Sequence, residues 1–508
     1  MLARVRAAAV LGVQAFPVLV EADLQSGLPT FSTVGLPDEA VRESRDRVRA
    51  AIVNSGFAFP AGRVTVNLAP ADLRKEGSAF DLAIAVGLLA AQGLARAEAA
   101  AGLLLVGELS LDGGLKQVRG VLPVALAARD AAERGLIVPP ANAAEAALVR
   151  GLEVYPARSL AEVVAHLNGE AALERAAPPV AAEPDLVGGE VALEEVRGQQ
   201  FARRALEIAA AGGHNLLFVG PPGSGKTLLS RCLPGILPPL SFEEALETTR
   251  IHSVAGLVSP ARPLVLRRPF RAPHHSVSNA GLIGGGSHPR PGEASLAHNG
   301  VLFLDELPEF SRSVLENLRQ PLEAGEVTIA RAALTLTYPA RFMLVAAMNP
   351  CKCGFRGDRS RVCGCSPREV DAYRSRISGP LLDRIDLHVE VPALSYAELA
   401  AAPAGEGTAT VRARVERARA AQHGRFGAAR LYCNAQMGAR EVREHCRHDE
   451  GCARLLEGAM RALGLSARGY ARVLKVARTI ADLAAEPRIG LAHVAEAIQY
   501  RERPRAMG

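Results

Sequence analysis

The 508-residue sequence has no stretch able to cross a membrane as a helix: its longest apolar run, Leu82 to Ala91, falls well short of the ~18 residues required. An export signal is not expected either. Arg4 and Arg6 precede an apolar segment, but Gln14 and Pro17 interrupt it and no small-residue cleavage site follows. Ala7–Val20 is therefore expected to be a buried strand, and the protein to be cytoplasmic with no membrane partner. There is no internal repeat. Without an export signal, eight cysteines do not make a disulfide framework. Lysine is scarce: only Lys75, Lys116, Lys226, Lys352 and Lys475 stand among 59 basic residues. Where arginine serves almost everywhere else, a retained lysine hints at a compact point charge.

What is present is globular material, 49% hydrophobic and 22% charged, which excludes a largely disordered chain. The length implies two or three domains. The net charge of +6 is uneven. Residues 1–170 carry 16 basic against 18 acidic side chains, and the remainder 43 against 35. A basic C-terminal two-thirds permits a polyanion partner without requiring one. Pro, Ala and Glu crowd into 171–188 without apolar periodicity, as in a linker. A softer break near Ala400–Thr410 precedes a tail with helical spacing over Val411–Gln422, Leu455–Leu463, Gly469–Leu483 and Gly490–Arg501.

Asn215–Val219 is a short apolar run followed by Gly220, Pro221, Pro222, Gly223, Ser224, Gly225, Lys226 and Thr227, then LLSRCL. Strand, glycine-rich loop and helix in this order form a phosphate cradle. Its amides aim at phosphate oxygens, Lys226 would reach the β- and γ-phosphates, and Thr227 would hold Mg²⁺. About 75 residues on, Val301–Leu304 reads as a buried parallel strand ending in Asp305 and Glu306. Asp305 would bind the magnesium shell and Glu306 would polarise the attacking water. A further strand, Phe342–Ala347, leads to Asn349, either a water-orienting side chain or the start of a turn before Pro350. Arg384, between Asp383 and Asp386, is either a salt-bridged helix residue or an arginine finger for a neighbouring subunit.

Cys351, Cys353, Cys363 and Cys365 form two C-x-C pairs separated by nine residues. Gly354 and Gly364 would let the loop fold back so that four thiolates meet one structural Zn²⁺; the alternative is four reduced thiols in a polar insertion. The remaining cysteines, Cys232, Cys433, Cys446 and Cys452, lack ligand spacing. His274 and His275, if extended, would point to opposite faces and share no metal.

Together, the two nucleotide motifs, Asn349 and GPLLDRIDL (Gly379–Leu387) resemble AAA+ ATPases of the magnesium-chelatase-like branch, and within it the ComM (YifB-like) family. Glu195–Thr227, Arg268–Gly286, Pro289–Phe310 and Ser466–Leu483 carry the same resemblance, which covers nearly the whole chain. It implies an ATP- and Mg²⁺-dependent motor on single-stranded or branched DNA, assembled as a homo-oligomer, a hexameric ring, and associated with branch migration in recombination of incoming DNA. It implies an α/β fold with a P-loop AAA+ core at 189–400, a Cys-rich insertion at 351–365 and a C-terminal helical lid at 401–508. On the same footing Arg468 takes the place of the lid arginine that closes over the nucleotide, with Arg472 its competitor. Gly284 and Gly285 fall in a flexible pore insert near Asn279–His288, and Arg331 near the turn of a hairpin within Val327–Phe342, facing DNA in the pore or else a solvated tip. Residues 1–170 resemble the Lon protease domain, an α+β unit of the ribosomal protein S5 domain 2-like fold, through Lys75–Leu89 and Val106–Gly120. Lys116 matches that family's lysine, but Ala79 stands at its nucleophile position with Ser78 one residue early, so this domain is expected to be proteolytically inactive. The alternatives are a chelatase-like remodelling chaperone for metal insertion, against which no integrin-like metal-adhesion pattern occurs here, and a Lon-like ATP-dependent protease.

Overall fold

The structure is a computed structural model and describes residues 1–72, 74–179, 191–286, 289–331, 334–358, 361–401, 405–427 and 431–501. Its N-terminal part is built on a seven-stranded mixed sheet in the order Thr30–Val34, Arg63–Ala69, Gln14–Gln25, Leu2–Leu11, Leu103–Leu105, Gly135–Val138, Glu153–Pro156. The expected single strand Ala7–Val20 is instead parts of two antiparallel strands, paired from Leu2↔Asp23 to Leu11↔Gln14. Gly12, at φ 63°, makes the reversal, which apolar content alone does not reveal. Pro17 is tolerated because pairing to the next strand begins only at Leu19↔Ala69, leaving its missing N–H unneeded. The longest apolar run becomes the helix Asp81–Ala91, buried at every residue. Residues 171–179, expected to be linker, still touch this part, with the Ala176 amide donating to Val154 O at 2.8 Å. The rest of that linker, 180–190, lies outside the described residues.

The second sheet is wholly parallel, in the order Phe270–Arg271, Val301–Leu304, Met343–Met348, Leu216–Val219, Leu387–Glu390. Its strands are continuous apolar runs because both faces are covered. Leu216, Phe218, Val301, Phe303, Val345 and Ala347 point into one core; Leu217, Val219, Leu302, Leu304, Leu344 and Ala346 point into the other.

The helices of the tail are Thr408–Phe426, Ala439–His445, Glu450–Leu463, Ala467–Leu483 and Leu491–Gln499. They do not form an independent lid. Val415, Val473 and Ile480 belong to the same buried cluster as Leu206 and Phe218, so the tail completes one face of the sheet. Asp386, just before the last strand, ties the tail down. Its carboxylate accepts from the Asn215 amide (2.9 Å) and pairs with Arg472 of the tail, with His214 3.7 Å away. Burial alone would raise its pKa, but Arg472, His214 and the amide hold it well below the usual carboxylate range. The N-terminal part docks through the helix Val121–Asp130 on Phe242–Ala255 and through Val13, which packs with Ile251, Leu336 and Tyr338. Replacing Asp386 by Ala strands Arg472 beside a buried carbonyl edge and should lower unfolding stability by about 3–5 kcal/mol. An unchanged denaturant midpoint would refute this account of the junction.

Candidate nucleotide site

In a parallel sheet all strand C-termini share one edge, and here that edge gathers the phosphate loop, Asp305, Glu306 and Asn349. The strand carrying Asn349 lies between the other two. Gly223 and Gly225 have φ of 78° and 91°, left-handed conformations that let the loop curl before the helix Lys226–Ile236 begins. Lys226 is buried. Its Nζ donates to Gly220 O (2.7 Å), Pro221 O (2.8 Å) and Asn349 Oδ1 (3.2 Å). Desolvation pulls its pKa down to about 8, although Asp305 and Glu306 favour the charge. Thr227 Oγ1 donates to Asp305 Oδ2 at 2.7 Å. These hard oxygens fit Mg²⁺, with phosphates and water completing its shell.

Glu306 is held at φ 52°, a strained position for a non-glycine residue, with its amide donating to Asp305 Oδ1 (2.9 Å) and its carboxylate projecting outward. His275 Nδ1 stands 3.7 Å from Glu306 Oε2, a neighbour the sequence did not announce. The rings of His274 and His275 are 4.0 Å apart rather than on opposite faces, because the segment turns at His275 instead of running extended.

The arginines lie elsewhere. Arg384 is buried, bonded to Pro380 O and the Glu323 carboxylate, while its Nε has no hydrogen-bond partner. Neither flanking aspartate is its partner. Arg468 is 72% exposed, 3.8 Å from the same Glu323, whereas Arg472 is committed to Asp386. Arg384, Arg468, Arg472 and Lys475 line a cavity of about 630 Å³ with Asn215 and Met343, residues where strands begin. That edge is one strand length, roughly 13–20 Å, from the phosphate loop. The helix Ala467–Leu483 therefore does not close over the chain's own nucleotide site, since its apolar face is spent against Gln200–Gly212.

The hairpin expected within Val327–Phe342 is present as Glu326–Arg331 paired with Leu334–Pro339; its turn, 332–333, is outside the described residues. Arg331 ends the first strand. Gly284 and Gly285 form a short pairing with Arg290–Pro291 after the helix Asn279–Ile283, so most of the expected flexible insert is ordered, with 287–288 not described. Cys351, Cys353, Cys363 and Cys365 bring their sulfurs within 4.8 Å of one another, a group able to hold a metal. In the N-terminal part, Ser78 donates to the Glu108 carboxylate and Lys116 is exposed opposite Glu108, so no lysine is bonded to Ser78 among the described residues. Ala79 packs against a buried apolar cluster.

Three family models match along the chain: "Subunit ChlI of Mg-chelatase" over residues 20–142, "Magnesium chelatase, subunit ChlI" over 192–399 and "Magnesium chelatase, subunit ChlI C-terminal" over 405–501. The chain is 48% identical over 506 residues to competence protein ComM of Haemophilus influenzae, covering 98% of this chain and 97% of that protein. It is 47% identical over 504 residues to YifB of Salmonella typhimurium, with the same coverage. A magnesium-chelatase 67 kDa subunit of Chlorobaculum parvum is 28% identical over 166 residues, 32% of this chain and 23% of that one.

The depressed Lys226 gives a pH signature. Near pH 8 about half the empty sites hold neutral lysine; a bound triphosphate restores the proton and raises the pKa. ATP binding should therefore take up about half a proton at pH 8 and almost none at pH 6.5, and should weaken as pH rises above 8. Calorimetry in buffers of different ionisation enthalpy measures this, and Lys226→Ala should abolish the uptake.

Proposed function

This chain belongs to the ComM/YifB-like family of magnesium-chelatase-related proteins, and on that footing we propose that it is a ring-forming AAA+ motor that hydrolyses ATP to move along DNA. The observation that carries the reading is the division of the hydrolytic parts between two edges of one sheet. Lys226, Thr227, Asp305, Glu306 and Asn349 meet on one edge, and Arg384 and Arg468 lie on the other. Charge on a transferring γ-phosphoryl group needs more neutralisation than Lys226 and Mg²⁺ provide, and an arginine finger supplies it. A chain that cannot bring its own arginines across must receive a neighbour's, so hydrolysis requires a closed ring, which we take to be a hexamer.

Within that ring Glu306 acts as general base and Asn349 orients the water. Gly284, Gly285 and Arg331 serve the pore, where an arginine grips phosphates without reading bases. The motor works in the cytoplasm on single-stranded or branched DNA, as the branch-migration reading requires. The four cysteines hold a structural Zn²⁺. The N-terminal domain, Lon-like in ancestry, is proteolytically inactive: the Ser78 hydroxyl donates its hydrogen bond to the Glu108 carboxylate, with no lysine paired to it among the described residues.

Purified protein should hydrolyse ATP faster with single-stranded or branched DNA, and Glu306→Gln should still bind ATP while turning over about 10²–10⁴-fold more slowly. Turnover indifferent to DNA would favour a remodelling chaperone instead. Arg384→Ala should be inactive alone, and mixing it with Glu306→Gln subunits should restore turnover. Mixed rings without restoration would remove the role of the neighbour.

A further inference from the structure

The insertion that follows Asn349 is built around sulfur. Cys351 Sγ is 3.4 Å from Cys353 Sγ and 3.7 Å from Cys363 Sγ; the last two are 3.6 Å apart, and Cys365 completes a group within 4.8 Å. Four thiolates at about 2.3 Å from one zinc have tetrahedral edges of about 3.8 Å, whereas a disulfide needs about 2.05 Å. The observed separations match the edges of a cage and are too long for crosslinks.

Apolar burial contributes little to holding the shape of this segment among its described residues. Among the described residues of 351–365 only Cys351 and Gly354 are buried, and Val362, next to Cys363 in sequence, is 96% exposed. Arg361 over the Phe355 ring at 5.0 Å is a modest substitute for a core. An irregular loop that buries so little apolar surface cannot offset the entropy of ordering it, and metal ligation supplies that free energy in small motifs.

Its position gives the loop a task. Cys351 stands two residues after Asn349, whose amide oxygen meets Lys226. Gly354 packs against the phosphate loop so closely that a Cβ there would fall 2.7 Å from Pro222 Cδ. Beyond Cys365, a capped helix, Pro367–Arg374, runs back so that Arg374 Nε reaches Pro350 O at 3.3 Å. The sulfur cluster thus closes a loop whose two ends grip the strand end that carries Asn349.

We propose that Cys351, Cys353, Cys363 and Cys365 bind one Zn²⁺ and that this ion is a positioning element for ATP hydrolysis, fixing Asn349 and Pro222 around the γ-phosphate. Each ligating thiol releases its proton to solvent, and the −2 charge of the filled site is offset by Lys352, Arg356 and Arg361 in the same loop. Thiolates and a tetrahedral cage favour Zn²⁺ over the oxygen-seeking Mg²⁺ of the nucleotide site. The metal half stands by itself; the positioning half rests on the ATPase reading above.

The test begins with full-length protein purified without added metal. Elemental analysis should find one zinc per chain, retained through a chelator wash. Exchange with Co²⁺ should give the visible bands and sulfur-to-cobalt charge transfer of a tetrahedral tetrathiolate. A Cys363→Ser/Cys365→Ser variant should lose the metal, keep nucleotide affinity within about threefold and drop ATP turnover at least tenfold. Should that variant fail to fold, stripping the wild type with a mercurial and chelator, then restoring thiols and Zn²⁺, gives the same comparison reversibly. Protein that binds neither Zn²⁺ nor Co²⁺ and has four freely titrating thiols at these positions overturns the site. Metal removal that leaves turnover unchanged overturns the positioning role. Zinc-replete wild type with no ATPase at all overturns that role together with the motor reading, and leaves the metal site standing.

Discussion

A sheet whose strands all run one way has two unlike edges, and most of this protein follows from that constraint. The ends of Leu216–Val219, Val301–Leu304 and Met343–Met348 deliver the phosphate loop, Asp305 and Asn349 side by side without any of the three being close in sequence. The beginnings of the same strands deliver Asn215, Gly300 and Met343 to a basic cavity. Tail helices complete one face of the sheet, so their cationic residues collect at the second edge. Asp386 locks this arrangement by bonding one strand's beginning, through Asn215, to the tail, through Arg472.

The phosphate edge is organised before any ligand arrives. Lys226 is desolvated and held by two carbonyls and an amide oxygen, none of which neutralises it as a phosphate would. The same burial that depresses its pKa strengthens its attraction for an anion. Asn349 contributes to that restraint from the central strand, and the cysteine loop lies against Pro222 and Asn349 at Gly354. On the proposed positioning role, a disturbance in the loop would reach the phosphate loop through this packing.

Legibility in the sequence followed the range of the interactions. The phosphate loop and the strand ending in Asp305 were readable because each is a local pattern, loop chemistry or an apolar run, with its meaning fixed by near neighbours. The hairpin around Arg331 was expected from the family resemblance, and it is a pairing of two neighbouring segments. Gly12 was missed, since one glycine inside an apolar run does not declare a reversal until its partner strand is known. The placement of Arg468 was missed for a different reason. Its helix is amphipathic whichever way it docks, and only the core shared by Val473 with Leu206 and Phe218 decides that it lies behind the sheet. His275 beside Glu306 and Glu323 between two arginines join residues 31 and 61 or more positions apart, and no periodicity encodes such meetings.

In the ring proposed above, the Arg384–Glu323 pair would shape how the finger engages. An arginine finger that waits in the open is mobile, and ordering it costs side-chain entropy when it engages. Here Arg384 waits bonded, with Glu323 half exposed and its own Nε lacking a partner. The Glu323 end of that pair is half exposed although Arg384 is buried, and a guanidinium on phosphate oxygens in a closed interface forms strong, charge-assisted bonds. In the proposed ring, Arg384 would exchange Glu323 for a neighbour's nucleotide, and its Nε, which has no hydrogen-bond partner here, would gain one. Arg468 shares the same carboxylate, so one exchange at Glu323 would release both cations toward the interface together. Hydrolysis would remain silent in a lone chain without any separate inhibitory segment, because the carboxylate that restrains the finger yields only to a subunit that brings phosphate to it.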